Sequence, residues 1–264
     1  MTFRLRAGVA SDVGAYRDAN QDSAFAASWG AAVADGVGGG PAGDLASAAF
    51  VHRLVAGGAT VRDAEDLEVR LRGANWDLGA HVRRDPALAG MATTFTGVWL
   101  DRQGGLLLAH TGDSRAYLLR RGHLIRQTRD DSYVQVLVDQ GIVRAEDAMN
   151  HPRRNIITAS LRGDDTDLVR VVDRVPVRGD RWVLCSDGVS DYLPDDVIAD
   201  LARRDAAVDD ISRSLVEAAL EAGSRDNVTA VVCDVERGAP GLEEPVWAGA
   251  AAERFVDDLA DLAG

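Results

Sequence analysis

Four short turns carry the chemistry available to this sequence: Ala34-Asp35-Gly36, Gly112-Asp113-Ser114, Ser186-Asp187-Gly188 and Arg225-Asp226-Asn227. Each places an aspartate beside Gly, Ser or Asn next to an apolar, strand-like run. Any one of them reads first as a structural turn, because Asp-Gly and Gly-Asp are turn formers. If their strands lie side by side, however, four carboxylates converge, and their repulsion is costly unless cations neutralise it. No His or Cys stands at ligand spacing, so the donors are hard oxygens that suit Mg²⁺ or Mn²⁺ better than Zn²⁺. Gly36 has no Cβ to keep its own carbonyl from turning toward an ion. Arg17, set between Ser11-Asp12 and Asn20-Gln21-Asp22, offers a fork for a phosphoryl group in an otherwise acidic pocket. Taken alone, such an arginine reads as a surface ion-pair partner.

Strand-like runs at Arg4 to Ala10, Ser23 to Ser28 and Ala31 to Ala34 come first, bounded by Gly and Asp turns. Two helical patterns follow, the second through Leu67, Leu71, Ala74, Leu78 and Val82. Four short runs between Thr93 and Gln127, separated by turns such as Arg121-Gly122, predict an antiparallel meander. Ser132 to Leu161 is helical in pattern but broken at Gly141 and His151-Pro152. Strands return at Leu168 to Val172 and Arg181 to Ser186, then two helices (Pro194 to Arg203, Val208 to Ala222) precede a last strand, Val228 to Val235. Runs of strands and runs of helices predict an α+β fold with antiparallel sheets covered by helices. One domain is expected over 1–237. Residues 238–264 read as a linker, Gly238 to Gly241, and a short amphipathic helix through Ala252, Phe255, Val256, Leu259 and Leu262.

The 264 residues suffice for one large core without disulfides, and 46% apolar with 27% charged residues is an ordinary globular composition. The formal charge of −13 opposes nucleic-acid and anionic-membrane binding. Every basic residue is arginine, which points to a biased genome and not to a site. Cys185 and Cys233 sit in apolar runs and are expected to be buried free thiols. No apolar run is long enough to cross a membrane and no signal-like start is seen, so a cytoplasmic location is expected.

In order along the chain, Ser11-Asp12-x-Gly14-x-x-Arg17-x-x-Asn20-Gln21-Asp22, Val33-Ala34-Asp35-Gly36-x-Gly38-Gly39, Thr93-Thr94, Gly112-Asp113-Ser114-Arg115, Cys185-Ser186-Asp187-Gly188 and Asp226-Asn227-Val228-Thr229 resemble the motif series of the metal-dependent protein phosphatase 2C family. The resemblance spans about residues 5 to 235. It is nearest the bacterial serine/threonine phosphatases that oppose Hanks-type kinases. It includes Asp130-Asp131-Ser132-Tyr133-Val134-Gln135 and His151-Pro152-x-Arg154-Asn155, which flank that family's variable flap.

The resemblance implies an α-β-β-α sandwich of two antiparallel sheets flanked by helices, with two or three Mn²⁺ or Mg²⁺ ions at one edge. Asp35 would bridge two of them, the Gly36 carbonyl would hold one, and Asp187 and Asp226 the other. Asp113 would hold a third, weaker ion. Asp22 would contact water on the metals, Arg17 would clamp phosphate, and Asn227 would support the ligands from behind. The implied activity is hydrolysis of phosphoserine and phosphothreonine proteins by a metal-activated water, with a Ser/Thr kinase as counterpart, in a monomer. The alternative is a pseudophosphatase that binds phosphoproteins without turnover. Val37 stands where many eukaryotic relatives have a proposed acid, His, and Ala92 stands where Gly is common; neither removes a ligand.

Overall fold

The computed structural model describes residues 2–37, 42–241 and 243–254. Gly38 and Gly39 of the second motif, and Phe255, Val256, Leu259 and Leu262 of the expected terminal helix, lie outside the described residues. Twelve strands are described: β1 (Phe3–Asp12), β2 (Asp22–Ala26), β3 (Gly30–Val37), β4 (Ala92–Thr93), β5 (Phe95–Leu100), β6 (Leu106–Thr111), β7 (Arg115–Arg120), β8 (His123–Arg126), β9 (Arg170–Arg174), β10 (Arg181–Cys185), β11 (Val228–Arg237) and β12 (Val246–Gly249). Helices are α1 (Gly43–Ala56), α2 (Ala64–Arg84), α3 (Tyr133–Asp139), α4 (Asp187–Ser190), α5 (Asp195–Ala202), α6 (Val208–Glu221) and α7 (Ala250–Glu253).

The strands form two sheets, ordered β1-β11-β10-β7-β8 and β12-β2-β3-β5-β6-β9, with β4 added against β3. All named pairings are antiparallel. Successive residues of a strand face opposite sides, so one strand serves two cores. In β6, Leu106 and Leu108 enter the core between the sheets while Leu107 and Ala109 face α1 and α2. In β10, Trp182 and Leu184 point between the sheets while Val183 and Cys185 face α5 and α6. Three apolar layers thus separate four structural layers, helix, sheet, sheet and helix. Strands buried on both faces read as continuous apolar runs, which is why alternation is faint in this sequence.

The expected meander between Thr93 and Gln127 is divided. β5 pairs with β6 in one sheet, β7 with β8 in the other, and Gly112-Asp113-Ser114 carries the chain across. Gly112 crosses at φ +100, and a Cβ there would lie 2.6 Å from Thr94 Cβ, so the crossing depends on glycine. The C-terminal stretch also departs from expectation. β12 adds to the edge of β2, Trp247 stacks on His52 with ring centroids 4.0 Å apart, and Arg254 pairs with Asp44. Among the described residues no helix is long and apolar enough to cross a membrane.

Candidate active site

The registers bring the aspartate turns to one end of the sandwich. Asp12 pairs with Val228, Cys185 with both Ala230 and Arg115, Asp22 with Asp35, and Gly36 with Thr93. Asp22 and Asp35 are therefore directly opposed on neighbouring strands, where like charges destabilise a sheet. The backbone of Asp35 is held by β4 and its neighbour: Thr94 N and Thr93 Oγ1 donate to Asp35 O at 2.8 and 3.0 Å, and Asp35 N donates to Thr94 Oγ1 at 3.1 Å. A Cβ on Gly36 would come within 2.3 Å of Gly43 O, so only glycine fits beside Asp35.

Asp187 opens α4 directly after β10. Ser186 stands at the N-cap yet makes no cap bond there. Its hydroxyl donates instead to Asp22 Oδ2 at 2.7 Å and accepts from Thr229 N at 3.1 Å. A Cβ on Gly188 would fall 1.9 Å from Asn227 O, so the start of α4 packs backbone to backbone on the Asp226-Asn227 turn. That contact sets Asp187 beside Asp226. Asn227 in turn ties down the loop that carries Arg17. Its Nδ2 donates to Val13 O and Ala19 O at 2.9 and 3.0 Å, and its Oδ1 accepts from Gln21 N at 2.8 Å. Arg17 reaches back to Asp226 at 2.7 Å. Burial opposes the charge on Arg17, but Asp226, Asp187 and Asp35 outweigh it and hold the guanidinium pKa above its usual value.

Five carboxyls of this end, Asp22, Asp35, Asp113, Asp187 and Asp191, are raised, with desolvation the largest cause in each. Asp22 is pushed to about 7, with Asp226 adding repulsion and the Thr229 and Ser186 hydrogen bonds opposing. Asp35 rises well above the carboxylate range, through burial and then Asp22, Asp113 and Asp226. Asp187 does the same, through burial, Asp35 and Asp113. Asp113 is pushed to about 7 by burial and by Asp130 and Asp191. Asp113 Oδ1 and Asp187 Oδ1 are buried without a hydrogen-bond partner. An orphaned buried carboxylate oxygen is costly, and a cation relieves it.

Those orphaned oxygens, the glycine-only carbonyl at Gly36 and an all-oxygen donor set fit Mg²⁺ or Mn²⁺. Among the described residues no three such side chains are already drawn into a closed cage. An ion held here would complete its shell with backbone carbonyls and water.

Sequence reasoning did not name Asp191, and it named Ser186 and Thr229 as motif residues without giving them a role. Asp191 follows Asp187 by four residues, one helical turn, and that spacing was the available signal. It accepts from Arg154 Nε at 2.9 Å, so it ties the flap to the site. A cavity of about 910 Å³, bordered by Asp113, Arg115, Asp130, Arg154 and Asp191, opens under that flap. Val37 ends β3 against Ala92, with neither contributing a polar side chain.

The fold, with two antiparallel sheets flanked by helices and a carboxylate cluster at one end, is that of a protein phosphatase 2C domain. The chain belongs to the protein phosphatase 2C family, whose signature covers residues 16–223. It is 39% identical over 257 residues to the serine/threonine protein phosphatase PstP of Mycobacterium tuberculosis, covering 95% of this chain and 49% of that protein. The chain thus spans about half the length of that curated relative. The serine/threonine phosphatase Stp of Listeria monocytogenes is 32% identical, with 76% of this chain and 82% of that protein covered. A crystal structure of the M. tuberculosis phosphatase superposes with a TM-score of 0.82 at 38% identity, over 89% of this chain and 100% of that one. The catalytic domain of PstP in complex with two manganese ions superposes equally well, at 0.82 and 37% identity with the same coverage.

Proposed function

We propose that this chain is a metal-dependent serine/threonine phosphoprotein phosphatase that hydrolyses phosphate monoesters directly. The observation that carries the reading is the orphaned pair Asp113 Oδ1 and Asp187 Oδ1 inside a cluster of carboxyls, with Arg17 at its rim. Asp35, the Gly36 carbonyl, Asp187 and Asp226 would hold two Mn²⁺ or Mg²⁺ ions, and Asp113 a weaker third. Ions so held supply Lewis-acid polarisation of phosphoryl oxygens and lower the pKa of water. Arg17, which pairs with Asp226 at the rim of the cluster, would orient the phosphoryl group through its paired N–H donors. Asp22, a carboxyl pushed to about 7 that accepts from Ser186, can take up a proton at neutral pH. Asn227 keeps the Arg17 loop in place. Neither cysteine serves as nucleophile: both are fully buried, and burial pushes the Cys185 thiol up to about 12.

On this reading residues 1–237 carry the catalytic site, and β12 and α7 beyond them close the edge of its second sheet. The substrates are phosphoserine and phosphothreonine proteins, the counterpart is a Ser/Thr kinase, and the chain works as a cytoplasmic monomer. Buried, unpaired thiols and the acidic surface support that setting. The test is hydrolysis of p-nitrophenyl phosphate and a phosphothreonine peptide with Mn²⁺, Mg²⁺ or EDTA. The expected result is metal-dependent turnover that disappears in Asp187→Ala. A folded sample that binds phosphopeptide but turns over nothing with either metal would favour the pseudophosphatase.

A further inference from the structure

At the rim of the site two dipeptides lie against each other, Tyr16-Arg17 and Arg225-Asp226. Arg17 pairs with Asp226 at 2.7 Å, and beside that contact the Arg225 Cζ sits 5.5 Å from the centre of the Tyr16 ring. The two segments form one rigid unit. Asn227 holds the loop on either side of the first, at Val13, Ala19 and Gln21, and a Cβ on Gly14, at φ +75, would fall 2.5 Å from Asp226 O. The charges of the unit are unequal. Arg17 has a carboxylate partner, whereas among the described residues no carboxylate pairs with exposed Arg225. Tyr16 is 64% exposed, so its ring is a solvent-facing platform for that guanidinium. A cation held on an aromatic face has already lost much of its rotamer freedom and is pre-organised for a second contact.

Consecutive Cα atoms lie about 3.8 Å apart, so Arg225 stands about one residue from the Asp226 position that Arg17 reaches. An extended peptide rises about 3.3 Å per residue. Because Tyr16 precedes Arg17 and Arg225 precedes Asp226, the Tyr16–Arg225 pair borders the Arg17–Asp226 pair, on the side where a residue flanking a phosphoryl group held at Arg17 would run. We propose that Tyr16 and Arg225 form a specificity subsite that takes an acidic side chain, carboxylate or second phosphate, flanking the phosphorylated residue. This rests on the phosphatase reading above. In a chain of charge −13, which repels acidic peptides at long range, a local unpaired guanidinium decides which of them can dock.

The experiment compares phosphothreonine peptides that carry Glu, Ala or Lys beside the phosphoresidue, using wild type, Arg225→Ala, Arg225→Glu and Tyr16→Ala. Both turnover with Mn²⁺ and binding by fluorescence anisotropy are read. Wild type should favour the Glu peptide over the Ala peptide by about five-fold in kcat/KM and in affinity, the upper range for an exposed ion pair. Arg225→Ala should erase the preference, Arg225→Glu should reverse it toward Lys, and Tyr16→Ala should weaken it. Hydrolysis of p-nitrophenyl phosphate, which has no flanking residue, should stay within two-fold in all three variants, about the scatter expected of a surface change. Equal Glu-to-Lys ratios in wild type and Arg225→Glu would overturn the subsite. Absence of all turnover would instead overturn the phosphatase reading, and the anisotropy ratios would still decide the subsite.

Discussion

The two ends of the sandwich both hold aspartates away from water, and they treat them in opposite ways. At the end away from the site, Asp234 accepts two hydrogen bonds from Arg181 at 2.6 and 2.9 Å and a third from Arg6 at 3.0 Å. Asp180, 1% exposed, is gripped by Arg120 at 2.7 and 2.6 Å and by Val177 N at 2.8 Å. At the other end Asp22, Asp35, Asp113 and Asp187 face mainly each other, and two of their oxygens have no donor. Forked arginine pairs satisfy buried charge for structure. Charge left unbalanced in an otherwise well-satisfied fold marks the place where a cation and a phosphate belong.

Exchanging the roles of the two ends gives the largest expected effects. Asp35→Ala should lower Mn²⁺-dependent kcat/KM by about 10³-fold, since ligand loss removes several kcal/mol of charge stabilisation. The metal-free protein should melt no lower, because one member of a repelling cluster is gone. Arg181→Ala should do the reverse. It leaves Asp234 with Arg6 alone and costs about 2 kcal/mol of stability, with activity per folded molecule intact. Chemical denaturation and steady-state kinetics on both variants check the pair, and a stability loss in Asp35→Ala as large as that in Arg181→Ala would erase the distinction.

The two ends also differed in how far the sequence exposed them. All four aspartate turns, with Arg17, Asp22 and Asn227, were legible because Asp-Gly and Gly-Asp end apolar runs and because their order resembles a known series. The arginine pairs were not. Arg181 and Asp234 are 53 residues apart, Arg120 and Asp180 are 60 apart, and pairing across a sheet leaves no local spacing. The divided meander was missed for a related reason: β6 and β7 are buried on both sides, so nothing in their pattern tells one sheet from the other. β12 was missed because an edge strand of four residues after a Gly-Pro linker has too little pattern to register.

A smaller effect is expected on pH. Carboxyls with raised pKa bind protons in the folded state that the unfolded chain has released. Their contribution to stability is therefore complete below the ordinary carboxylate value near 3.8 and is lost as pH rises through about 7, the value to which Asp22 and Asp113 are pushed. In EDTA the protein should lose stability steadily from pH 5 to pH 8. Saturating Mn²⁺ should cancel that slope, adding about 2.7 kcal/mol at a hundred-fold excess over Kd, because ligands bind the ion deprotonated. Denaturation midpoints at four pH values with and without Mn²⁺ check this. A flat profile in EDTA would mean that the cluster is less crowded than its burial requires.

The smallest expected change probes a single hydroxyl. Ser186 gives Asp22 a hydrogen bond at 2.7 Å, and so does for that carboxyl a little of what arginine does for Asp234 at the other end. Ser186→Ala removes the acceptor of Thr229 N and one of the two side-chain donors of Asp22, a loss of about 1 to 2 kcal/mol in stability. The bond also favours the charged form of Asp22, so its removal raises that pKa further. The acid limb of the pH–rate profile should move to higher pH, while kcat on the alkaline plateau stays within a few-fold of wild type. A merely structural serine would lower stability and leave the limb where it is. Movement of the limb would show that Asp22 must be charged for turnover, which no arginine-paired aspartate of the far end can show.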